Sequence, residues 1–258
     1  MSTSLIMHGA AGRMGRRILT LALESDDIQV EAGVDQRQGS LRDLDLPSDA
    51  PLLERLPSSP GSVVIDFSHV SATGCVVEHC AEHGMPLAIG TTGIEPKELD
   101  RLLSSAATRI PILAAPNMSV GVNLVFQVAA QIAKTLGEDY DIEVVEAHHH
   151  HKVDAPSGTA FGIVDAICDA TGRSRADCVH GREGQMGERK RGEIGVHALR
   201  MGDVVGDHIA YFVGGGERVT LGHVAHSRDI FARGALRAAR FLSNAKPGRY
   251  GMKDVLGL

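Results

Sequence analysis

Between Leu5 and Ala114 short apolar runs alternate with segments of helical spacing, and this alternation narrows the possible folds more than any other feature of the chain. The apolar runs are Leu5–His8, Ile28–Val34, Val63–Phe67, Pro86–Ile89 and Ile110–Ala114. The helical segments are Arg16–Leu23, Ser68–Glu82 and Glu95–Ala107. Strands joined through helices run parallel, because the crossover carries the chain back to the end where it began. A parallel sheet is covered by helices on both faces, so its strands are apolar on both sides, as these are. Only Leu41–Gly61, rich in Pro, Ser and Asp, reads as irregular connection. The first part of the chain is therefore expected to be α/β, with a Rossmann-like parallel sheet.

The first strand runs straight into Gly9-Ala10-Ala11-Gly12-Arg13-Met14-Gly15 and then into a helix. Strand, glycine turn, helix is the setting of a dinucleotide site: glycine lets backbone approach a pyrophosphate, and the helix N-terminus faces its charge. The spacing here is G-x-x-G-x-x-G, and an ordinary βα turn carries similar glycines. Asp35 at the end of the second strand adds weight, since a carboxylate there accepts from the ribose hydroxyls of NAD. Arg37, two residues on, suits the 2′-phosphate of NADP instead, so the choice between NADH and NADPH stays open. Gly90-Thr91-Thr92-Gly93 follows the fourth strand, where small residues leave room for a ring and offer hydrogen bonds. The fifth ends at Ala115-Pro116-Asn117-Met118-Ser119.

Near Ser119 the alternation stops. A long apolar helix is expected over Val122–Leu136, a strand over Asp141–Ala147 and a helix over Ser157–Thr171. Gly172–Gly192 reads as a loop carrying Arg182, Arg189, Lys190 and Arg191. Ile194–Leu199, Val204–Val213 and Arg218–His226 are strand-like with no helix between them, so neighbours are expected to be antiparallel. Arg228–Leu242 is an amphipathic helix, followed by a short tail.

The stretch Glu146-Ala-His-His-His-His-Lys-Val-Asp-Ala-Pro-Ser-Gly-Thr159 lies between the Asp141–Ala147 strand and the next helix. Four histidines, a lysine and an aspartate thus sit where α/β proteins gather reacting groups, beside a helix start that suits a carboxylate or phosphate. A purification tag would sit at a terminus. An inert loop ranks below catalysis, and a metal site below both. Neighbours in extended chain point to opposite faces, and Lys152 repels a cation.

Length and charge close off other classes. The 258 residues suffice for one large domain or two small ones. A net charge of −6 gives no global basic signature for nucleic acid or membrane. Cys75, Cys80, Cys168 and Cys178 lack C-x-x-C spacing and read as reduced thiols of a cytoplasmic protein. No basic-then-apolar leader precedes the first strand. The longest apolar region, Ile112–Ala133, is broken by Pro116, Asn117, Ser119, Asn123 and Gln127, which argues against a membrane span.

These motifs together make the chain closely similar to the dihydrodipicolinate reductase family over nearly its full length. The similarity is carried by the Gly9–Gly15 turn, Ile89–Gly93, Asn117–Asn123, Glu146–Thr159, Gly181-Arg182-Glu183-Gly184 and Met252-Lys253-Asp254-Val255-Leu256. The histidine motif is highly specific and the glycine turn is not. The resemblance implies NAD(P)H-dependent reduction of 4-hydroxy-tetrahydrodipicolinate, a small dicarboxylate, on the diaminopimelate route to lysine. It implies that Gly9, Ala10, Ala11, Gly12, Arg13 and Met14 hold the pyrophosphate and Asp35 the ribose. Gly90, Thr91 and Thr92, with Ala115, Pro116, Asn117 and Met118, would line the nicotinamide half. His148 would be the acid/base and Lys152 the proton donor. His149, Gly158 and Thr159 would bind substrate, with no metal. It also implies a dinucleotide domain of residues 1–119 and 226–258, and a substrate and oligomerisation domain of residues 120–225. The second would be α+β with an open mixed sheet, assembling a homotetramer. Some members carry arginine where this chain has Gln36, and His150 is given no role. The alternatives are a reductase of another cyclic imine or keto acid, a non-catalytic NAD(P)-sensing protein, and a metal hydrolase built on the histidines.

Overall fold

The computed structural model describes residues 2–258. In chain order the elements are β1 (Thr3–His8), α1 (Arg13–Leu23), β2 (Ile28–Val34), β3 (Gly39–Ser40), β4 (Pro51–Leu53), β5 (Val63–Asp66), α2 (Val70–His83), β6 (Leu87–Ile89), α3 (Pro96–Ala106), β7 (Pro111–Ala114), α4 (Val120–Leu136), β8 (Asp141–His148), α5 (Gly158–Thr171), β9 (Cys178–Val179), β10 (Ile194–Arg200), β11 (Asp207–Gly214), β12 (Glu217–Val224), α6 (Asp229–Leu242), β13 (Gly248–Tyr250) and α7 (Met252–Leu256). The chain divides into two units, Met1–Val120 with Asp229–Leu258, and Gly121–Arg228.

The first unit holds an eight-stranded sheet in the order β13-β7-β6-β5-β1-β2-β4-β3. Its pairs are parallel except β3 with β4. Period-2 alternation explains the unbroken apolar strands. Leu5 and Met7 face one core with Ile18 and Leu19 of α1 and Leu236 and Leu242 of α6. Ile6 faces the other, with Val76 of α2 and Leu102 of α3. Fully burying one such side chain contributes about 1.5–3 kcal/mol. Helix α6 buries Ala232, Ala235, Leu236, Ala239 and Leu242, an i, i+3, i+4 stripe whose small residues let it lie close to the sheet. Two expectations change here. Leu41–Gly61 contains β4, which adds a parallel strand beside β2. The tail contributes β13, which pairs with β7. Both strands have only three residues, too short to show a period.

The second unit holds a five-stranded mixed sheet in the order β12-β11-β8-β10-β9. One face packs against α4 and α5 through Ile142, Val144, Ala210, Phe212, Ala129, Ile163 and Ile167. Strands β11 and β12 form an antiparallel hairpin across Gly215 and Gly216, whose φ values of 55° and 84° suit glycine. The expectation that all three late strands pair as antiparallel neighbours is corrected by β10. It lies on the far side of β8 and runs parallel to it, while β11 flanks β8 antiparallel. Residues 201–206 therefore cross over the end of β8. The Met201 N–H donates to the His148 carbonyl at 2.9 Å and the His149 N–H to that of Val204 at 2.7 Å. Val204, expected in a strand, belongs to this crossing. The fold class is as expected: α/β, a parallel Rossmann-like sheet and a second, mixed sheet.

Candidate active site

In the first unit the strand order reverses at β1, between β2 and β5, and a cleft of about 680 Å³ lies there. Ligands of open parallel sheets bind at such switch points. The lining includes Gly9, Ala11, Gly12 and Asp35, with His8, Gln36, Glu54, Phe67, Ser68, His69, Ser71 and Ala72. Gly9 has φ 81°, and a Cβ there would meet the Phe67 carbonyl oxygen at 2.5 Å. A Cβ on Gly15 would run into the Gly9 carbonyl. These positions admit only glycine without a shift of backbone.

The turn sorts its own N–H groups. Those of Gly9 and Ala10 donate to the Val34 carbonyl, and that of Gly12 to Gly9. The Ala11 N–H donates to Asp35 Oδ2 at 2.8 Å, and the Gln36 N–H to Asp35 Oδ1 at 2.8 Å. Each Asp35 oxygen keeps acceptor capacity for a hydroxyl. Gly12 caps α1 with no side-chain hydrogen bond, so the first N–H groups of the helix, from Arg13 onward, are left for an anion. The residues thus fit a dinucleotide: a close-approach turn, an open helix start and a carboxylate beyond it.

Behind the turn lies a group that periodicity does not reveal. Asp66 is fully buried at the end of β5. Its Oδ1 meets His8 Nδ1 at 2.7 Å and the Ser68 N–H at 3.2 Å, and its Oδ2 accepts from Thr91 Oγ1 at 2.9 Å. Burial pushes the Asp66 carboxyl up, but the His8, Ser68 and Thr91 hydrogen bonds outweigh this and hold it below the usual carboxylate range. The space beside Gly90 is filled by the Phe67 ring. Strands β6 and β7 are neighbours, so Gly90–Thr92 and Ala115–Met118 leave the sheet side by side. The Asn117 side-chain oxygen accepts from the Ser119 N–H at 2.9 Å, and Met118 is buried.

In the second unit the end of β8 gathers the rest. Glu146 and His148 share the helix-covered face, as i and i+2 on a strand must. The register sets Glu146 opposite His208 of β11 and His148 opposite Arg200 of β10. Glu146 Oε2 meets His148 Nδ1 at 2.6 Å and Arg200 at 2.9 Å. Its Oε1 accepts from Arg200 at 3.0 Å and from the Ser157 N–H at 3.1 Å. Burial raises the Glu146 carboxyl, yet Arg200 and His148 together hold it below the usual range. His208 packs edge-on to His148 with ring centroids 5.1 Å apart and meets Ser157 Oγ through Nε2 at 3.0 Å. Burial, then the neighbouring His148, pushes His208 down to about 4.

Ser157 caps α5 by accepting from the Ala160 N–H at 3.1 Å, and Gly158 and Thr159 open that helix. Lys152 Nζ donates to Asp154 Oδ1 at 2.8 Å, and the Asp154 carbonyl accepts from Arg200 at 2.6 Å. Lys152 lowers the Asp154 carboxyl in turn. His149 is pushed down by burial and then by Arg228. Its Nδ1 is buried without a partner. His148 is turned into the sheet's covered face, while His150 and His151 are exposed. His148 thus stands apart from the other three, the His149 and His150 rings lying 6.2 and 3.9 Å from that of His151.

The sheet order, the switch-point cleft and the glycine turn place the chain in the class of dinucleotide-binding α/β proteins. Residues 3–118 match the family "Dihydrodipicolinate reductase, N-terminus", and residues 121–256 match "Dihydrodipicolinate reductase, C-terminus". A 4-hydroxy-tetrahydrodipicolinate reductase from Myxococcus xanthus is 45% identical, over 98% of this chain and 97% of its own. One from Methanothermobacter thermautotrophicus is 43% identical, over 97% of each. Among solved structures, a dipicolinate-bound dihydrodipicolinate reductase from Paenisporosarcina sp. TG-14 superposes with a TM-score of 0.77 at 21% identity, over 97% of this chain and 98% of that one. GenD2 from gentamicin A biosynthesis, solved with NAD, gives 0.63 at 12% identity, over 99% and 90%. Both likenesses are of fold. The chain belongs to the dihydrodipicolinate reductase family.

Proposed function

We propose that this chain reduces 4-hydroxy-tetrahydrodipicolinate to tetrahydrodipicolinate with NADH or NADPH, with His148 and Lys152 managing the proton. Relatives of that name at 43–45% identity over the full length support the reaction. The observation that carries the assignment of roles is the buried Glu146–His148 pair set beside Lys152 and the N-terminus of α5. Residues 1–119 and 226–258 would serve the dinucleotide, and residues 120–225 the substrate.

The conversion takes up one hydride and one proton and releases water. A reduced nicotinamide, when bound, supplies the hydride. The free N–H groups of Arg13 and Met14 answer the pyrophosphate. Asp35 receives the ribose hydroxyls, and Gly90–Thr92 with Ala115–Met118 flank the nicotinamide half. The N–H groups of Gly158 and Thr159, with His149 and cationic Lys152, answer the carboxylates of the substrate. His148 Nδ1 is engaged by Glu146, so Nε2 is the atom through which the ring exchanges a proton. Lys152 Nζ is a second donor once the substrate draws it from Asp154.

The uncovered face of the second sheet carries Val145, Ile209 and Tyr211, with exposed Leu199, Val213 and Val224. Exposed apolar residues on this face, beside the Glu143–His197 pair, support assembly into a homotetramer. The four free thiols accord with a cytoplasmic site.

The test is a coupled assay. Aspartate semialdehyde, pyruvate and a synthase generate the substrate, and cofactor absorbance is followed with NADH and NADPH in parallel. Oxidation should require the synthase product. Cofactor binding without turnover would favour a sensing role instead.

A further inference from the structure

We infer that Glu146 is a positioning residue for the reaction: one buried carboxylate fixes the ring of His148 and anchors the start of the helix that presents Gly158 and Thr159. The inference rests on the reading of His148 as the acid/base. Glu146 itself is too deeply buried to meet substrate, with no exposed surface.

The geometry gives this carboxylate two outputs. Towards the imidazole, Oε2 lies 2.6 Å from Nδ1. An ionised carboxylate only accepts hydrogen bonds, so Nδ1 must carry a proton whether the ring is neutral or cationic. The exchangeable proton is thereby confined to Nε2, on the opposite edge of the ring. A Cβ on Gly206 would lie 3.0 Å from that atom, so a larger residue in the crossing loop would crowd it. Towards the helix, Oε1 accepts the Ser157 N–H at 3.1 Å. Ser157 is the cap residue, and the two next residues are those assigned to the carboxylates.

Arg200 completes the device. It binds both oxygens of Glu146, at 2.9 and 3.0 Å, and so balances the buried charge without drawing on His148. It also donates to the Asp154 carbonyl at 2.6 Å, and Asp154 holds Lys152 Nζ. One buried ion pair thus ties together the two proton-handling side chains and the helix start. Facing the His148 ring are Glu146 on its own strand, Arg200 opposite it on β10, His208 on β11 and Gly206 of the crossing. Among these only Glu146 is anionic, so only it can impose the Nδ1–H form.

The test combines kinetics with ¹⁵N NMR of histidine-labelled protein, in which the His148 signals are identified by their loss in His148→Ala. In the unsubstituted protein His148 should show the Nδ1–H pattern; an Nε2–H pattern would overturn the inference whether or not any variant folds. In Glu146→Gln, whose side chain has the same size, that pattern should give way to a mixture. kcat should fall by about 10²-fold or more, as when a proton-handling group loses its orientation. The NADH Kd should stay within about twofold, because the dinucleotide residues lie in the other unit. A normal kcat in Glu146→Gln would overturn the inference, and so would a lost kcat with the His148 pattern unchanged, which would mark a structural role alone. The parent reading fails separately. If His148→Ala retains near-normal turnover, His148 is not the acid/base; if His148→Ala is inactive while Glu146→Gln is normal, only the positioning role falls.

Discussion

Acidification should destabilise the protein through His208 in a way that one substitution removes. His208 is 4% exposed, its Nδ1 is buried with no partner, and its Nε2 is committed to Ser157. A second proton would leave a buried cation with an unmet donor, which agrees in direction with a folded-state value of about 4 against 6.5 for free histidine. The sign follows from proton counting. Between 6.5 and about 4 the unfolded chain takes up a proton at this site and the folded chain does not. Stability is complete above that window and is lost as pH falls through it. With those two values, lowering the pH from 7 to 5 costs the folded state about 2 kcal/mol from this group. For a chain of this length that corresponds to a fall in Tm of about 4–8 °C. His208→Gln keeps a polar atom near Ser157 but does not titrate. Its Tm should therefore fall less between pH 7 and pH 5 than that of the unsubstituted protein, by about that margin. His149 and His223 are also pushed down by burial and act in the same direction, but they are common to both proteins and cancel in the difference. Equal acid-induced falls in Tm for the two proteins would refute the reasoning.

Two further predictions concern turnover and cofactor choice. Lys152→Ala and His148→Ala should each lower kcat by about 10²- to 10⁴-fold in the coupled assay, with near-normal rates in both showing the roles misassigned. Asp35→Ala should weaken NADH more than NADPH when Kd is measured by fluorescence titration, because only NADH leaves both adenosine ribose hydroxyls free to meet the carboxylate; equal losses would remove Asp35 from ribose recognition.

The parts of this fold that were legible in the sequence are those whose signal is local. Leu5–His8 with its glycine turn, and the alternation through Ala114, follow from period and turn chemistry within a few residues. Asp35 is found by its place after β2. Glu146 is legible in part, since a carboxylate and an imidazole two apart on a strand must share a face, but its partners are not. His8 and Asp66 lie 58 residues apart and meet only because β1 and β5 pair in register, with His8 opposite Asp66. Arg200 and His208 lie beyond sequence reasoning for the same cause, since each reaches β8 from a different side of the sheet.

In the second unit the topology departs from sequence order. Sequence order makes β10 and β11 expected antiparallel neighbours, but the six residues 201–206 bridge two strand spacings, about 10 Å, with β8 between them. Six residues of extended chain cover that distance with length to spare, whereas a two-residue turn would not. The surplus lies across the end of β8 and binds its last residues. The Met201 N–H meets the His148 carbonyl, and the Gly202 carbonyl accepts from the His150 N–H at 3.2 Å and meets its ring at 2.8 Å. This placement pairs β8 with β11 up to Ala147 and with β10 up to His148, so His148 stands on a strand that is paired to its tip on the β10 side. A hairpin between β10 and β11 would have left β8 at an edge, with Arg200 and His208 both on one side of Glu146. The arrangement found puts a cation on one flank of β8 and a neutral ring on the other.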